Sequence, residues 1–249
     1  MPNLNCLVVG GSKGIGSQIA IKFHENGYRV VSVSRTPINP GMHSGLFRSA
    51  GESFQEILLD LYAENSCSLL IKQLVIYDFL PDVVIFAIGG PDDCDSMRFE
   101  DYSRILKLNF LIPVELTLGL LPRFKDHKKR KILFIGSLVT KNGRAPLPYV
   151  CSKTALLSFV QNLSHSLGKD YGNLEPFVIS PGPIEVPGKG LKRLKEQDPD
   201  GLITWLENRG INTGRLGSMS EVANLALALC SSEIGYIHGA NFEIDGGAR

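Results

Sequence analysis

The sequence predicts a single α/β domain spanning residues 1–249, a doubly wound parallel sheet of about seven strands with helices on both faces. Three observations carry that expectation. Short β-rich runs recur along the chain, "CLVV", "RVVSV", "EILL", "DVVIFAI", "KILFI", "EPFVI" and "NFEI", and helical spacing fills most of the gaps between them. The runs are apolar on both faces, as strands of a parallel sheet covered on both sides must be. The first run stops in a glycine-rich turn, with Gly10, Gly11, Gly14 and Gly16, that leads directly into a helical pattern. A chain of 249 residues suits one large domain better than two small ones.

The elements follow in order. Ile15, Ile19 and Phe23 mark a helix after the glycine turn, and "RVVSV" is the second strand, ending at Ser34 and Arg35. The next stretch carries Pro37, Pro40, Gly41, Gly45 and Gly51, which predicts an irregular crossover with at most a short helix. "EILL" is followed by Asp60 and Leu61, and "DVVIFAI" by a helix with Leu106, Phe110, Val114 and Leu118 on one stripe. The run "HKKRK", His127 to Lys131, reads as solubilising surface before the fifth strand. Ala155, Phe159, Leu163 and Leu167 mark the helix that precedes the sixth strand, and Cys151 near its start reads as a small packing residue. Residues 185–217 form a long passage with "KGLKRLKEQDPDG", expected to be a partly helical lid over a site.

Composition narrows the function classes. With 43% apolar and 20% charged residues and a net charge of +1, nothing global points to nucleic acid or a membrane surface. The opening "MPNLNCLVV" has no basic leader, so a cleaved secretory signal is not expected, and no uninterrupted apolar run reaches the ~18 residues of a membrane span. Five cysteines, odd in number and without a CxxC pair, argue against a disulfide framework and suit a reducing cytoplasm. The five histidines are scattered, with no HExxH, and no metal is expected.

A strand, a glycine turn and a helix N-terminus make an anion site, because free backbone N–H groups and the helix dipole favour a phosphate there. Gly10 permits the turn, Gly14 lets a pyrophosphate approach, and Gly16 lets the helix pack on the sheet. The spacing GxxxGxG resembles the short-chain dehydrogenase/reductase family, whose loop reads TGxxxGxG; Val9 stands at the threonine. Further landmarks follow in order: Asp60-Leu61, "FAIGG" with Ala87 and Gly89, Asn109 in "LKLNFLIP", Ser137 in "ILFIGS", "YVCSK" with Tyr149 and Lys153, "SPGPIEV", and the C-terminal "NFEIDGG". The likeness spans essentially the whole chain and is nearest to the short reductases exemplified by 3-oxoacyl-carrier-protein reductases. It implies a Rossmann-type sheet, a catalytic set of Asn109, Ser137, Tyr149 and Lys153, and a nicotinamide dinucleotide held by Gly10, Ser12, Lys13, Gly14, Ile15, Gly16, Ser34, Arg35, Asp60, Leu61, Ala87, Gly89, Tyr149, Lys153, Pro181, Gly182 and Ile184.

The residues support that chemistry. Tyr149 and Lys153, four apart, share a helix face. An ammonium beside a phenol, with its ordinary pKa of ~10, stabilises the phenolate and brings proton exchange toward neutrality. In the family the tyrosine protonates the carbonyl oxygen, or takes the alcohol proton in reverse, the lysine also holds the nicotinamide ribose, the serine binds the developing oxyanion, and the asparagine supports a water relay. At the end of the second strand, a free 2′-hydroxyl would call for Asp or Glu, whereas Arg35 and Lys13 offer the cationic donors a 2′-phosphate needs, so NADP(H) is the expected cofactor. Two departures stand out. The paired asparagines before Gly89 are absent, and Val186 replaces a threonine that would contact the nicotinamide carboxamide.

The substrate is expected to be a small-molecule ketone or secondary alcohol, with a 3-oxoacyl thioester as the default and a sugar or secondary-metabolite ketone as the competitor. Lys141, Arg144, Lys189, Lys192, Arg193 and Lys195 could draw an anionic or carrier-bound substrate, although Glu196, Asp198 and Asp200 in the same lid favour a solvated helix face. Two rivals remain: a dinucleotide-binding sensor without turnover, and an epimerase or dehydratase on the same scaffold. The family resemblance also implies a homotetramer or homodimer joined through the helices around 101–121 and 149–168.

Overall fold

The computed structural model describes residues 4–38, 53–91, 94–126, 128–231 and 233–248. Most of the expected irregular crossover, residues 39–52, and His127 lie outside them. The chain runs β1 (Asn5–Val9), α1 (Gly14–Glu25), β2 (Arg29–Ser34), β3 (Phe54–Leu58), α2 (Ser66–Ile76), β4 (Val83–Phe86), α3 (Phe99–Leu106) and α4 (Ile112–Leu120). It continues as β5 (Arg130–Ile135), α5 (Val139–Asn142), α6 (Leu147–Ser166), β6 (Leu174–Pro181), β7 (Ile184–Glu185), α7 (Gly190–Gln197), α8 (Pro199–Glu207), β8 (Gly217–Ser218), α9 (Met219–Cys230) and β9 (Asn241–Ile244).

Seven of these strands form one sheet in the order β3-β2-β1-β4-β5-β6-β9, every neighbouring pair parallel. All seven coincide with the runs read from the sequence. Alternation explains the apolar character of both faces. Leu7 and Val9 of β1 enter a core with Leu70, Leu116 and Val160, whereas Cys6 and Val8 enter the opposite core with Ile19, Phe23 and Val222. The chain leaves β1 toward β2 and later returns to place β4 on the other side of β1. That reversal opens a crevice at the carboxyl ends of the strands, where ligands of such sheets bind.

Helix α9 is fixed at its start by a capping box. Ser218 Oγ accepts from Glu221 N at 3.1 Å, Glu221 Oε2 accepts from Ser218 N at 2.8 Å, and Arg215 pairs with Glu221 at 2.7 Å. Its buried face, Val222, Ala223 and Ala226, packs in the same core as α1.

Three local readings are corrected. Between α3 and α4, residues Lys107–Leu111 form a π-helical turn. Its wider turn shifts the register of side chains, so the buried face of α4 is Ile112, Leu116 and Leu120, while Leu118 of the expected stripe is 52% exposed. The stretch Phe99–Arg123 is long and apolar enough to cross a membrane by composition, yet this buried face lies in the sheet core. The basic run before β5 is not simply surface, because Arg130 and Lys131 are only 2% and 3% exposed. Arg130 grips Asp126 with both guanidinium nitrogens and lies over the Phe124 ring. Lys131 donates to Leu229 O at 2.7 Å and pairs with Glu175 at 3.3 Å. Strand alternation carries these long side chains inward, where nearby Asp126 and distant Glu175 supply the counter-charges and the Pro81 and Leu229 carbonyls the acceptors that buried cations require. Cys151, expected to pack, is exposed on α6.

Candidate active site

A cavity of about 1470 Å³ runs along the carboxyl edge of the sheet and under α7 and α8. One end is built by the turn after β1. Gly16 has to be glycine here, because a Cβ would lie 2.1 Å from Gly10 O, so strand and helix touch through backbone alone. Among the described residues no side chain caps α1 and no carboxylate sits in its first turn, so its leading N–H groups remain for an outside acceptor. Glycine cradle and uncapped helix therefore fit a dinucleotide pyrophosphate.

Beside this turn stand the residues that end β2. Ser34 Oγ donates to Thr36 O at 2.6 Å, and Thr36 Oγ1 donates to Ser12 Oγ at 3.4 Å, which ties the β2 corner to the glycine turn. Lys13 and Arg35 line the same end of the cavity and are exposed, and among the described residues neither has an ion-pair partner. Thr36 was missed in the sequence, where only the charged neighbours gave a signal. Asp60 and Leu61 line the cavity after β3, and Ala87 and Gly89 after β4.

At the centre, Ser137 follows β5, and Tyr149 and Lys153 project from α6. Gly136 lets β5 run close to β6, since a Cβ there would meet Val178 Cγ1 at 2.6 Å. Tyr149 and Ser137 line the same stretch of the cavity. Burial pushes the Tyr149 phenol above its ordinary pKa, with the neighbouring Ser137 hydroxyl acting in the opposite direction. The expected acidification by Lys153 is absent here for a geometric reason. The Lys153 ammonium sits 5.8 Å from the Tyr149 ring centroid and donates to Ile135 O at 2.8 Å, and burial pulls its own pKa down to about 8.

Asn109 is the one member of the expected catalytic set that does not line the cavity. It is fully buried in the π-helical turn, and its amide donates to Gly90 O and Ile105 O, each at 3.1 Å. Among the described residues the amide oxygen has no hydrogen-bond partner; it faces Gly89, where φ is +99 and a Cβ would lie 2.4 Å away. Its side chain clamps the β4 loop that forms the cavity floor. Every residue expected to hold the cofactor lines the cavity, including Pro181, Gly182 and Ile184 after β6.

The far end was less legible. Val186, Lys189, Leu191, Leu194, Trp205, Arg209 and Ile211 line it from the 185–217 passage, which folds as two helices and the β7–β8 pair. Arg144 joins them from the loop before α6, whereas Lys141 turns away to Glu243 at 2.8 Å. Among the described residues no group of three or more His, Cys, Asp or Glu is gathered.

Comparison with known proteins agrees with this geometry. Residues 9–249 match the family model described as Enoyl-(Acyl carrier protein) reductase. The chain is 27% identical over 251 residues to a 3-oxoacyl-(acyl-carrier-protein) reductase of Chlamydia muridarum, covering 98% of this chain and 97% of that protein. Among solved structures, L-sorbose reductase from Gluconobacter frateurii in complex with NADPH and L-sorbose superposes with a TM-score of 0.84 at 22% identity, covering 98% of this chain and 96% of that one. A 4-hydroxyisoleucine dehydrogenase complexed with NADH gives 0.80 at 21% identity, with 98% of each chain covered. These structures share the fold, and they carry both forms of the nicotinamide cofactor.

Proposed function

The chain belongs to the short-chain dehydrogenase/reductase family of nicotinamide-dependent oxidoreductases, and we propose that it is an NADP-dependent carbonyl reductase acting on a ketone, or on a secondary alcohol in reverse. One observation carries the reading. Ser137, Tyr149 and Lys153 open into the same cavity as the glycine turn, at whose outer end Lys13 and Arg35 stand with no ion-pair partner among the described residues.

When bound, the dinucleotide supplies the hydride that adds to the carbonyl carbon. The chain's own groups manage the oxygen. Burial keeps Tyr149 as a neutral phenol, so it holds the proton that the carbonyl oxygen needs as charge develops. Ser137, which lines the cavity beside Tyr149, is placed to donate to that oxyanion. Lys153, buried and released from Ile135 O, would hold the ribose of the nicotinamide and lower the phenol's pKa for reprotonation. Arg35 and Lys13 would grip a 2′-phosphate, with the Thr36 and Ser12 hydroxyls beside them. Asn109 keeps the β4 loop in register and is a positioning residue through its side chain.

The kinship supports a biosynthetic ketone substrate, either a 3-oxoacyl thioester or a sugar or secondary-metabolite ketone, handled in the cytoplasm. A homodimer or homotetramer is part of the proposal. Leu111, Leu118 and Leu147 are 50–52% exposed on the stretch from α3 to α4 and on α6, which leaves apolar surface for a second copy. The test is fluorescence titration with NADPH and NADH, followed by reduced-cofactor oxidation with a panel of ketones and 3-oxoacyl thioesters. Turnover should favour NADPH and collapse in Tyr149→Phe. NADPH binding without oxidation of any panel member would favour a non-catalytic sensor.

A further inference from the structure

The cations around the site separate into two groups once the chain is folded. Lys141 is held by Glu243 at 2.8 Å, and Lys192 and Lys195 are both held by Glu185 at 2.5 Å, so protein carboxylates neutralise them. Arg144, Arg209 and the exposed Lys189 line the cavity on the lid side, and among the described residues none of the three has an ion-pair partner. Asp60, at the opposite end after β3, is the single carboxylate among the described residues lining the cavity.

The two guanidinium groups are neighbours. Arg144 Nη1 donates to the carbonyl of Asn208, the residue before Arg209, at 3.4 Å. Burial and the charge of Arg144 both push the pKa of Arg209 down, so Arg209 is partly desolvated and repelled by its neighbour. The Arg209 guanidinium lies 3.8 Å from the Trp205 ring centroid, a stack that fixes the plane of its donor fork. Two like charges held together in this way carry an electrostatic cost, and a bound anion relieves it. Leu138, Leu191 and Leu194 line the adjoining wall and suit a short aliphatic body.

We propose that Arg144 and Arg209 form a carboxylate-binding subsite, so that the ketone reduced here is a small oxo acid that carries its own negative charge. This rests on the reductase reading and narrows its substrate class. A carrier-linked thioester would present its phosphate at the mouth, where exposed Arg144 could meet it alone; half-buried Arg209, stacked on Trp205, calls for an anion that enters the cavity.

The test uses the full chain saturated with NADP+, which cannot reduce a ketone, so binding is read without turnover. Calorimetric titrations compare levulinate with its methyl ester and acetoacetate with methyl acetoacetate, alongside acetoacetyl-coenzyme A. At least one acid should bind about 10-fold or more tightly than its ester, as expected for charge-assisted hydrogen bonds. Arg144→Gln and Arg209→Gln should each erase most of that advantage while leaving NADP+ affinity unchanged, which also reports folding. Acid and ester binding alike, an acid advantage that survives both substitutions, or binding of the coenzyme A thioester alone would each overturn the subsite while leaving the reductase reading intact. Failure of NADP+ itself to bind would overturn both.

Discussion

The cofactor corner can be tested most sharply by removing its two cations. Lys13 and Arg35 line one end of the cavity without an ion-pair partner among the described residues, so their substitution breaks no internal pair. A charge-assisted contact to phosphate contributes about 1.5–3 kcal/mol when shielded from water and about 1 kcal/mol or less when exposed. Both side chains are exposed, so the lower figure applies, and the pair should account for roughly 10- to 30-fold in affinity. Fluorescence titration of wild type, Lys13→Ala, Arg35→Ala and the double variant with NADPH and NADH measures it. NADPH affinity should fall by about that factor in the double variant, NADH affinity should change by less than about 3-fold, and the NADPH deficit should shrink at high salt. An equal loss for both cofactors would show that the cations act only as general positive charge. No loss for either would refute the assignment of a 2′-phosphate site.

Three further outcomes follow from the geometry. Gly89→Ala places a methyl group on Asn109 Oδ1 at a φ of +99, which should cost about 3 kcal/mol and lower the Tm by roughly 6–12 °C in calorimetry; a shift under about 2 °C would contradict the close packing. Lys153 in the free protein has a pKa lowered to about 8 from its ordinary 10.5, so the unfolded chain binds the extra proton between those values and this residue's contribution to stability rises with pH across that window. Denaturant unfolding of wild type minus Lys153→Met should therefore show that rise, whereas a flat difference would mean the lysine is not desolvated. Ser218→Ala removes the cap of α9 and should cost about 1 kcal/mol, read as a fall in Tm of about 2–4 °C.

The strands were legible because each is a short run of β-branched and aromatic residues bounded by turn signals, and burial on both faces leaves no competing pattern. Ser137, Tyr149 and Lys153 were legible because their spacing is local to one strand end and one helix. What escaped depends on contacts distant in sequence. Lys131 looks like surface until β6 brings Glu175 and α9 brings the Leu229 carbonyl, and the α4 stripe was misread because a π-helical turn has no simple sequence signal. Arg209 and Trp205 lie 60 and 56 residues beyond Tyr149, and only the fold of residues 185–217 brings them to the cavity. Asn109 was placed correctly on its helix, but its burial and its hold on Gly90 could not be read from its type.

The proposed reaction moves a hydride to a carbonyl carbon in this cavity, with Tyr149 supplying the proton. The most direct measurement incubates the protein with NADPH deuterated at the nicotinamide C4 and the best ketone of the panel, then locates the label in the product by mass spectrometry and NMR, with Tyr149→Phe in parallel. Deuterium on the new carbinol carbon, with the rate reduced about 100-fold or more in Tyr149→Phe at unchanged NADPH affinity, is the predicted result. Unlabelled product, or undiminished turnover without the phenol, would contradict it.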